Sequence, residues 1–254
     1  MFDFTGQTII ITGGSRGIGF AASKMFLEAG GRVYSLDISE ENNRIAQEKL
    51  SGYPFHVRTC DVSNHDNVTE ILEGIIEEAG QVHVLVNVAG ASSPKPFWEL
   101  DKAMWDRIIG ISLTGTFSTC HVMFKHFKEH NYGRIVNISS VAGKRGGGVL
   151  GTTFYAAAKA GVLGLTKGLA REGGPFGITS NAICPCLVKA EIVNQSIESE
   201  EVAQRIENFI KMNMPVGRWG ESEDIARGIV FLAAKESSFI TGEMMDIDGG
   251  LMMD

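Results

Sequence analysis

Seven short runs of apolar, largely β-branched residues punctuate this chain: TIIIT (8–12), RVYSL (32–36), PFHVRTC (54–60), HVLVN (83–87), RIVNIS (134–139), ITSNAI (178–183) and EMMDI (243–247). Amphipathic stretches of helical length lie between them. Apolar strands that alternate with helices form a parallel sheet buried on both faces. The pattern therefore predicts an α/β fold, one doubly wound domain over residues 1–254 with a mainly parallel seven-stranded sheet. No linker, repeat or low-complexity tract divides it. The rhythm breaks at about 189–220, where SIESEEVAQRIENFIKM has helical spacing and no strand. Such an insertion at the carboxyl ends of parallel strands is either a substrate lid or an ordinary surface helix pair.

Composition narrows the function. The net charge of −7 and the absence of any Lys/Arg run exclude a nucleic-acid binder. No apolar stretch approaches the roughly 20 residues that span a bilayer, so no membrane association is expected. The segment MFDFTGQTIIITGG has no basic residues before its apolar run and does not read as a signal peptide. Cys60, Cys120, Cys184 and Cys186 form no disulfide framework, which points to a reducing, cytoplasmic setting. No metal is expected. Cys184 and Cys186 are too close for a zinc knuckle, and His126 and His130 lie in HFKEH rather than HExxH, at what reads as an exposed helix end.

The segment TIIITGGSRGIGF runs strand, glycine turn, helix. Gly13, Ser15, Arg16, Gly17, Ile18 and Gly19 occupy the place where a backbone approaches a phosphate at a helix N-terminus. Asp37 ends the next strand, twenty residues after Gly17. A carboxylate there accepts hydrogen bonds from an adenosine ribose and repels a 2′-phosphate. This makes the domain Rossmann-type and the expected cofactor NAD. Arg16 pulls the other way, since a basic side chain in the loop could meet a 2′-phosphate.

The spacing Thr12-Gly13…Gly17-Ile18-Gly19 resembles the short-chain dehydrogenase/reductase family. The likeness extends through Asp61-Val62, NVAG (87–90), NISS (137–140), Tyr155-x-x-x-Lys159, NAICP (181–185) and DGG (248–250). It implies a catalytic set of Ser140, Tyr155 and Lys159. Tyr155 and Lys159 are four apart on one helix face, so the ammonium is expected to lower the phenol pKa and suit the pair to proton transfer. The resemblance also implies Asp61 and Val62 beside the adenine, Asn87, Ala89 and Gly90 along the ribose, and Pro185 and Val188 near the nicotinamide. Tyr155 and Lys159 would also touch the cofactor. The chain departs from the family at Cys186, usually glycine, and at Ala190, usually a threonine that anchors the carboxamide. Phe117, Phe124 and the small residues of 156–170 stand where the family forms a dimer or tetramer, so a homodimer or homotetramer is implied.

Residues 107–117, RIIGISLTGTF, have helical apolar spacing interrupted by Gly110 and Gly115. Glycine costs roughly 1 kcal/mol against alanine inside a helix, so close approach and a kink are expected here. The family places a proton-relay asparagine where this chain has Ser112. The hydroxyl is expected to continue the relay, helped by an extra water and bonded to the backbone four residues back.

These readings converge on an NAD-dependent oxidoreductase that interconverts a secondary alcohol and a ketone. A polyol, sugar acid or other small hydroxy compound is the expected substrate, from the glycine-rich stretch GKRGGGVLGTT (143–153). One alternative is a 3-oxoacyl-thioester reductase, which would ordinarily want NADP and a basic patch for an acyl carrier. Another is a cofactor-binding sensor or scaffold without catalysis.

Overall fold

The first strand, β1 (Thr8–Thr12), shows why the apolar runs are continuous. Ile9 and Ile11 join one hydrophobic cluster and Ile10 the other, and all three are fully buried. Successive strand residues point to opposite faces, and helices cover both. The computed structural model describes residues 2–93, 95–147, 153–189 and 200–253. Its strands are β1, β2 (Arg32–Asp37), β3 (Phe55–Thr59), β4 (Val84–Asn87), β5 (Gly133–Ile138), β6 (Ile178–Pro185) and β7 (Met244–Ile247). They form a seven-stranded sheet in the order β3-β2-β1-β4-β5-β6-β7. Every pairing is parallel, so the sheet is wholly rather than mainly parallel. All seven expected strands are present, with ends that differ by a residue or two.

Helix α1 (Gly17–Glu28) and helix α9 (Ser222–Ala233) cover the face that carries Ile9 and Ile11. Helices α3 (His65–Ala79) and α5 (Gly115–His130) cover the face that carries Ile10. Helix starts are capped locally. Ser39 accepts Asn42 N–H before α2 (Glu40–Lys49), Asn64 accepts Asn67 N–H before α3, and Asp101 accepts Met104 N–H before α4 (Lys102–Ile109). Caps of this kind are worth about 1 kcal/mol each.

Between α4 and α5 the chain makes one π-helical turn, Gly110–Thr114. This is the form taken by the expected kink. A Cβ on Gly115 would lie 2.9 Å from Val62 Cγ2, so the glycine lets α5 close onto the residues after β3. Single π turns recur at functional sites, and Ser112 sits in the middle of this one, fully buried.

The remaining helices are α6 (Val141–Arg145), α7 (Thr153–Gly173) and α8 (Glu200–Asn213). Helix α8 belongs to the expected lid. Its Ile206 and Ile210 pack on Leu187 and Met214, and Trp219 Nε1 donates to Glu207 Oε1 at 2.7 Å. Residues 190–199 of the lid, Ala190 among them, and residues 148–152 of the glycine-rich stretch lie outside the described residues. No helix among the described residues is long and apolar enough to cross a membrane.

One expectation fails at the outer helices. His126 is buried rather than exposed, because its Nε2 accepts Val82 N–H at 3.0 Å. Phe124 is partly buried and packs against the core, while Phe117 is 45% exposed. Strand β1 neighbours both β2 and β4, so the chain leaves it in opposite directions. In open α/β sheets a crevice forms at the carboxyl ends of the strands at such a switch point.

Candidate active site

A cavity of about 530 Å³ opens at that point. Its floor is the glycine loop, with Gly13, Arg16, Gly17 and Ile18. Gly13 and Gly17 have φ of 65° and 51°, a left-handed conformation that costs glycine little. A Cβ on Gly13 would stand 3.2 Å from Ala89 N. Thr12 Oγ1 accepts both Val88 N–H and Ala89 N–H, which fixes the loop after β4 against the loop after β1. The first residues of α1 have no side-chain cap. Their backbone N–H groups therefore suit a phosphate.

Asp37 and Ile38 wall one end of the cavity, with Cys60, Asp61 and Val62 beside them. Asp37 Oδ1 accepts Ser39 N–H at 3.0 Å, and Asp61 Oδ1 accepts Ser63 N–H at 2.9 Å. Ala89 and Gly90 line the middle. Ser140, Tyr155, Lys159, Pro185, Cys186 and Val188 line the far end. An uncapped helix start, a glycine cradle and a carboxylate at the end of β2 fit a dinucleotide laid across the sheet.

Ser140 caps α6, accepting Ala142 N–H at 3.1 Å and donating to Pro185 O at 3.4 Å. Its neighbour Ser139 donates to Lys159 O at 2.8 Å and so ties β5 to α7. Lys159 is buried, and its Nζ donates to Ile138 O at 2.7 Å. The Nζ stands 5.7 Å from the centre of the Tyr155 ring. Burial pulls the Lys159 pKa down to about 8. Burial also raises the Tyr155 pKa above its usual value, against a smaller lowering by the hydrogen bond from Ser140. The lowering expected from the lysine is absent, and Ser140 alone opposes burial. A dry site disfavours both the phenolate and the ammonium.

Four expected site residues lie off the cavity. Ser15 turns its hydroxyl away, toward Asn43 Oδ1 at 2.6 Å and Ser35 Oγ at 2.8 Å. Gly19 lies beneath the loop, where a Cβ would come 2.1 Å from Gly13 O. Asn87 is buried between strands, donating to Asn137 Oδ1 at 2.9 Å and accepting from Thr119 Oγ1 at 2.7 Å. Ser112 Oγ accepts Ala91 N–H at 3.0 Å and donates to Ala91 O at 3.2 Å. Its one donor proton goes to that carbonyl, so its partner is across the fold rather than four residues back. Cys186 incurs no left-handed strain, since Asn131 is the one non-glycine of positive φ among the described residues. Burial holds its thiol up at about 11.

Ile38, Cys60, Ala91, Ser92, Arg107 and Ile111 also line the cavity but were not anticipated. Ile38 carried a signal: an isoleucine beside the ribose acid, 64% exposed, is apolar surface without a core partner. Arg107 and Ile111 carried none, because the π turn decides which way they face.

A family model described as "Enoyl-(Acyl carrier protein) reductase" matches residues 13–252. The chain is 39% identical over 244 residues to an acetoacetyl-CoA reductase of Rhizobium meliloti (strain 1021), covering 96% of this chain and 98% of that one. It is 34% identical over 250 residues to the 3-oxoacyl-[acyl-carrier-protein] reductase FabG of Thermotoga maritima, covering 98% of each. Among solved structures, ElxO with NADP bound superimposes with a TM-score of 0.88 at 32% identity, covering 96% of this chain and 98% of that one.

Proposed function

The chain belongs to the short-chain dehydrogenase/reductase family, an oxidoreductase family that acts on keto and CH-OH groups with a nicotinamide cofactor, and on that premise we propose that it reduces a 3-oxoacyl thioester to the 3-hydroxyacyl thioester with NADH. One observation carries the reading: Ser140, Tyr155 and Lys159 line the same cavity as the glycine loop and Asp37. Burial raises the Tyr155 pKa above its usual value, and a protonated phenol can give its proton to a ketone oxygen. The acetoacetyl-CoA reductase relative supports the substrate class. Asp37 supports NADH, because a 2′-phosphate would meet its carboxylate.

The residues divide the work as follows. Gly13, Arg16, Gly17 and Ile18 would hold the pyrophosphate, Asp37 the adenosine ribose, Asp61 and Val62 the adenine, and Pro185 and Val188 the nicotinamide end. When bound, the nicotinamide supplies the hydride to the carbonyl carbon. Ser140 exchanges its long bond to Pro185 O for one to the substrate carbonyl oxygen and polarises it. Tyr155 delivers its proton to that oxygen. Lys159, still mostly protonated below about pH 8, stabilises the phenolate left behind. The enzyme acts as a homodimer or homotetramer through α5 and α7, a reading supported by exposed Phe117, and its free cysteines suit the cytoplasm.

A second reading, oxidation of a polyol or sugar acid, is favoured by Asp37, since NAD-linked enzymes commonly run toward oxidation. A panel of acetoacetyl-CoA, polyols, sugar acids and their ketones, each with NAD(H) and NADP(H) and followed by nicotinamide absorbance, separates them. The expected result is fastest turnover of acetoacetyl-CoA with NADH. Faster turnover of a polyol overturns the substrate, and faster turnover with NADPH overturns the role of Asp37.

A further inference from the structure

Helix α2 is polar and largely exposed, yet Asn43 on it is buried. Its amide bridges two parts of the cofactor cradle. Oδ1 accepts the Ser15 hydroxyl at 2.6 Å, and Nδ2 donates to Asp37 O at 3.3 Å. Ser15 is in the phosphate loop and Asp37 is the ribose acid. The Ser15 hydroxyl also meets Ser35 Oγ at 2.8 Å, so β2, α2 and the glycine loop join at one buried point. Asp37 O takes a second bond from Cys60 N at 3.1 Å, and its carboxylate is steered by Ser39 N–H. A buried amide stays only where its partners are satisfied. This one sets the distance between the group that reads the ribose and the loop that holds the phosphates.

We infer that Asn43 is a positioning residue for cofactor selectivity: by tying Ser15 to the backbone of Asp37, it keeps the Asp37 carboxylate where a 2′-phosphate would have to sit. The inference rests on the Asp37 reading above. Without the tether, the turn between β2 and α2 is free to relax. The carboxylate then swings off the ribose, and Arg16, on the next residue of the loop, gains influence over a 2′-phosphate. Asn43 itself touches no cofactor atom, since it does not line the cavity.

The test measures dissociation constants for NADH and NADPH, by fluorescence at fixed ionic strength, on the wild type, Asn43→Ala, Asn43→Ser, Asp37→Ala and the Asn43→Ala/Asp37→Ala double variant. Asn43→Ser keeps a hydroxyl in the buried site but is too short to span both partners, so it serves if the alanine variant folds poorly. In the wild type NADH binds more tightly. Either Asn43 variant lowers the ratio of the NADPH to the NADH constant about five- to tenfold, and in the Asp37→Ala background the same change moves it less than about twofold. Equal weakening of both cofactors, or the same ratio change without Asp37, makes Asn43 a fold residue only and overturns the inference. A wild type that prefers NADPH overturns the Asp37 reading itself, an outcome distinct from a wild type that prefers NADH and an Asn43 variant that keeps the preference.

Discussion

At the amino end of the sheet, His83 Nδ1 accepts Thr8 N–H and His126 Nε2 accepts Val82 N–H. Close by, Arg134 donates to Gly133 O and Gly177 O. At the carboxyl end, Ser140, Tyr155 and Lys159 are just as enclosed, but they line a cavity. Both ends hold titratable side chains whose pKa values burial has shifted. The difference lies in what faces them. Side chains bonded to backbone close the ends of strands and helices. Side chains that face a cavity keep hydrogen-bonding capacity for a substrate. A perturbed pKa marks a functional site only where such space exists.

The contrast breaks first at Tyr155. Tyr155→Phe should lower turnover by about 10²–10⁴-fold while leaving NADH affinity and thermal unfolding near wild type, because the variant removes only a proton donor. Turnover near wild type would sink the mechanism. Next is the pH profile. Lys159 titrates at about 8 in the fold, so the rate of ketone reduction should hold below that pH and fall as pH rises through it. A profile flat from neutral to well above that value would remove Lys159 from the chemistry.

The amino-end cluster should behave in the opposite way. His126→Ala leaves Val82 N–H without its acceptor and should cost about 1–3 kcal/mol of stability, read by denaturant unfolding, with turnover unchanged. Burial holds His83 and His126 below their ordinary 6.5, helped by repulsion from His130. The unfolded chain therefore takes up protons first, and stability is present above 6.5 and lost as pH falls below it. Lost turnover at full stability in His126→Ala would blur the distinction between the two ends. The smallest effect is expected at Ser112. Ser112→Ala removes the clasp on Ala91 and should cost about 1 kcal/mol, with the pH profile of turnover unmoved. A shifted profile would restore the hydroxyl to a proton relay.

Much of this protein was legible in its sequence because the signals were local. Strand and helix periodicity, the glycine turn and the run of motifs depend on neighbours in the chain. They marked out the sheet and residues that the fold brings to one cavity: Gly13, Gly17, Asp37 and the triplet Ser140, Tyr155 and Lys159. Where reading failed, the missing information was a distance between segments far apart in the chain. Ser15 and Asn43 are 28 positions apart, Ser112 and Ala91 are 21, and His126 and Val82 are 44. Tertiary structure alone decided that Ser15 turns to Asn43, that Asn87 is buried between strands, and that the Ser112 hydroxyl bonds Ala91. It also reversed the expected pKa of Tyr155. Four residues of helix place an ammonium beside the phenol, but the desolvation that opposes it comes from the whole surrounding fold.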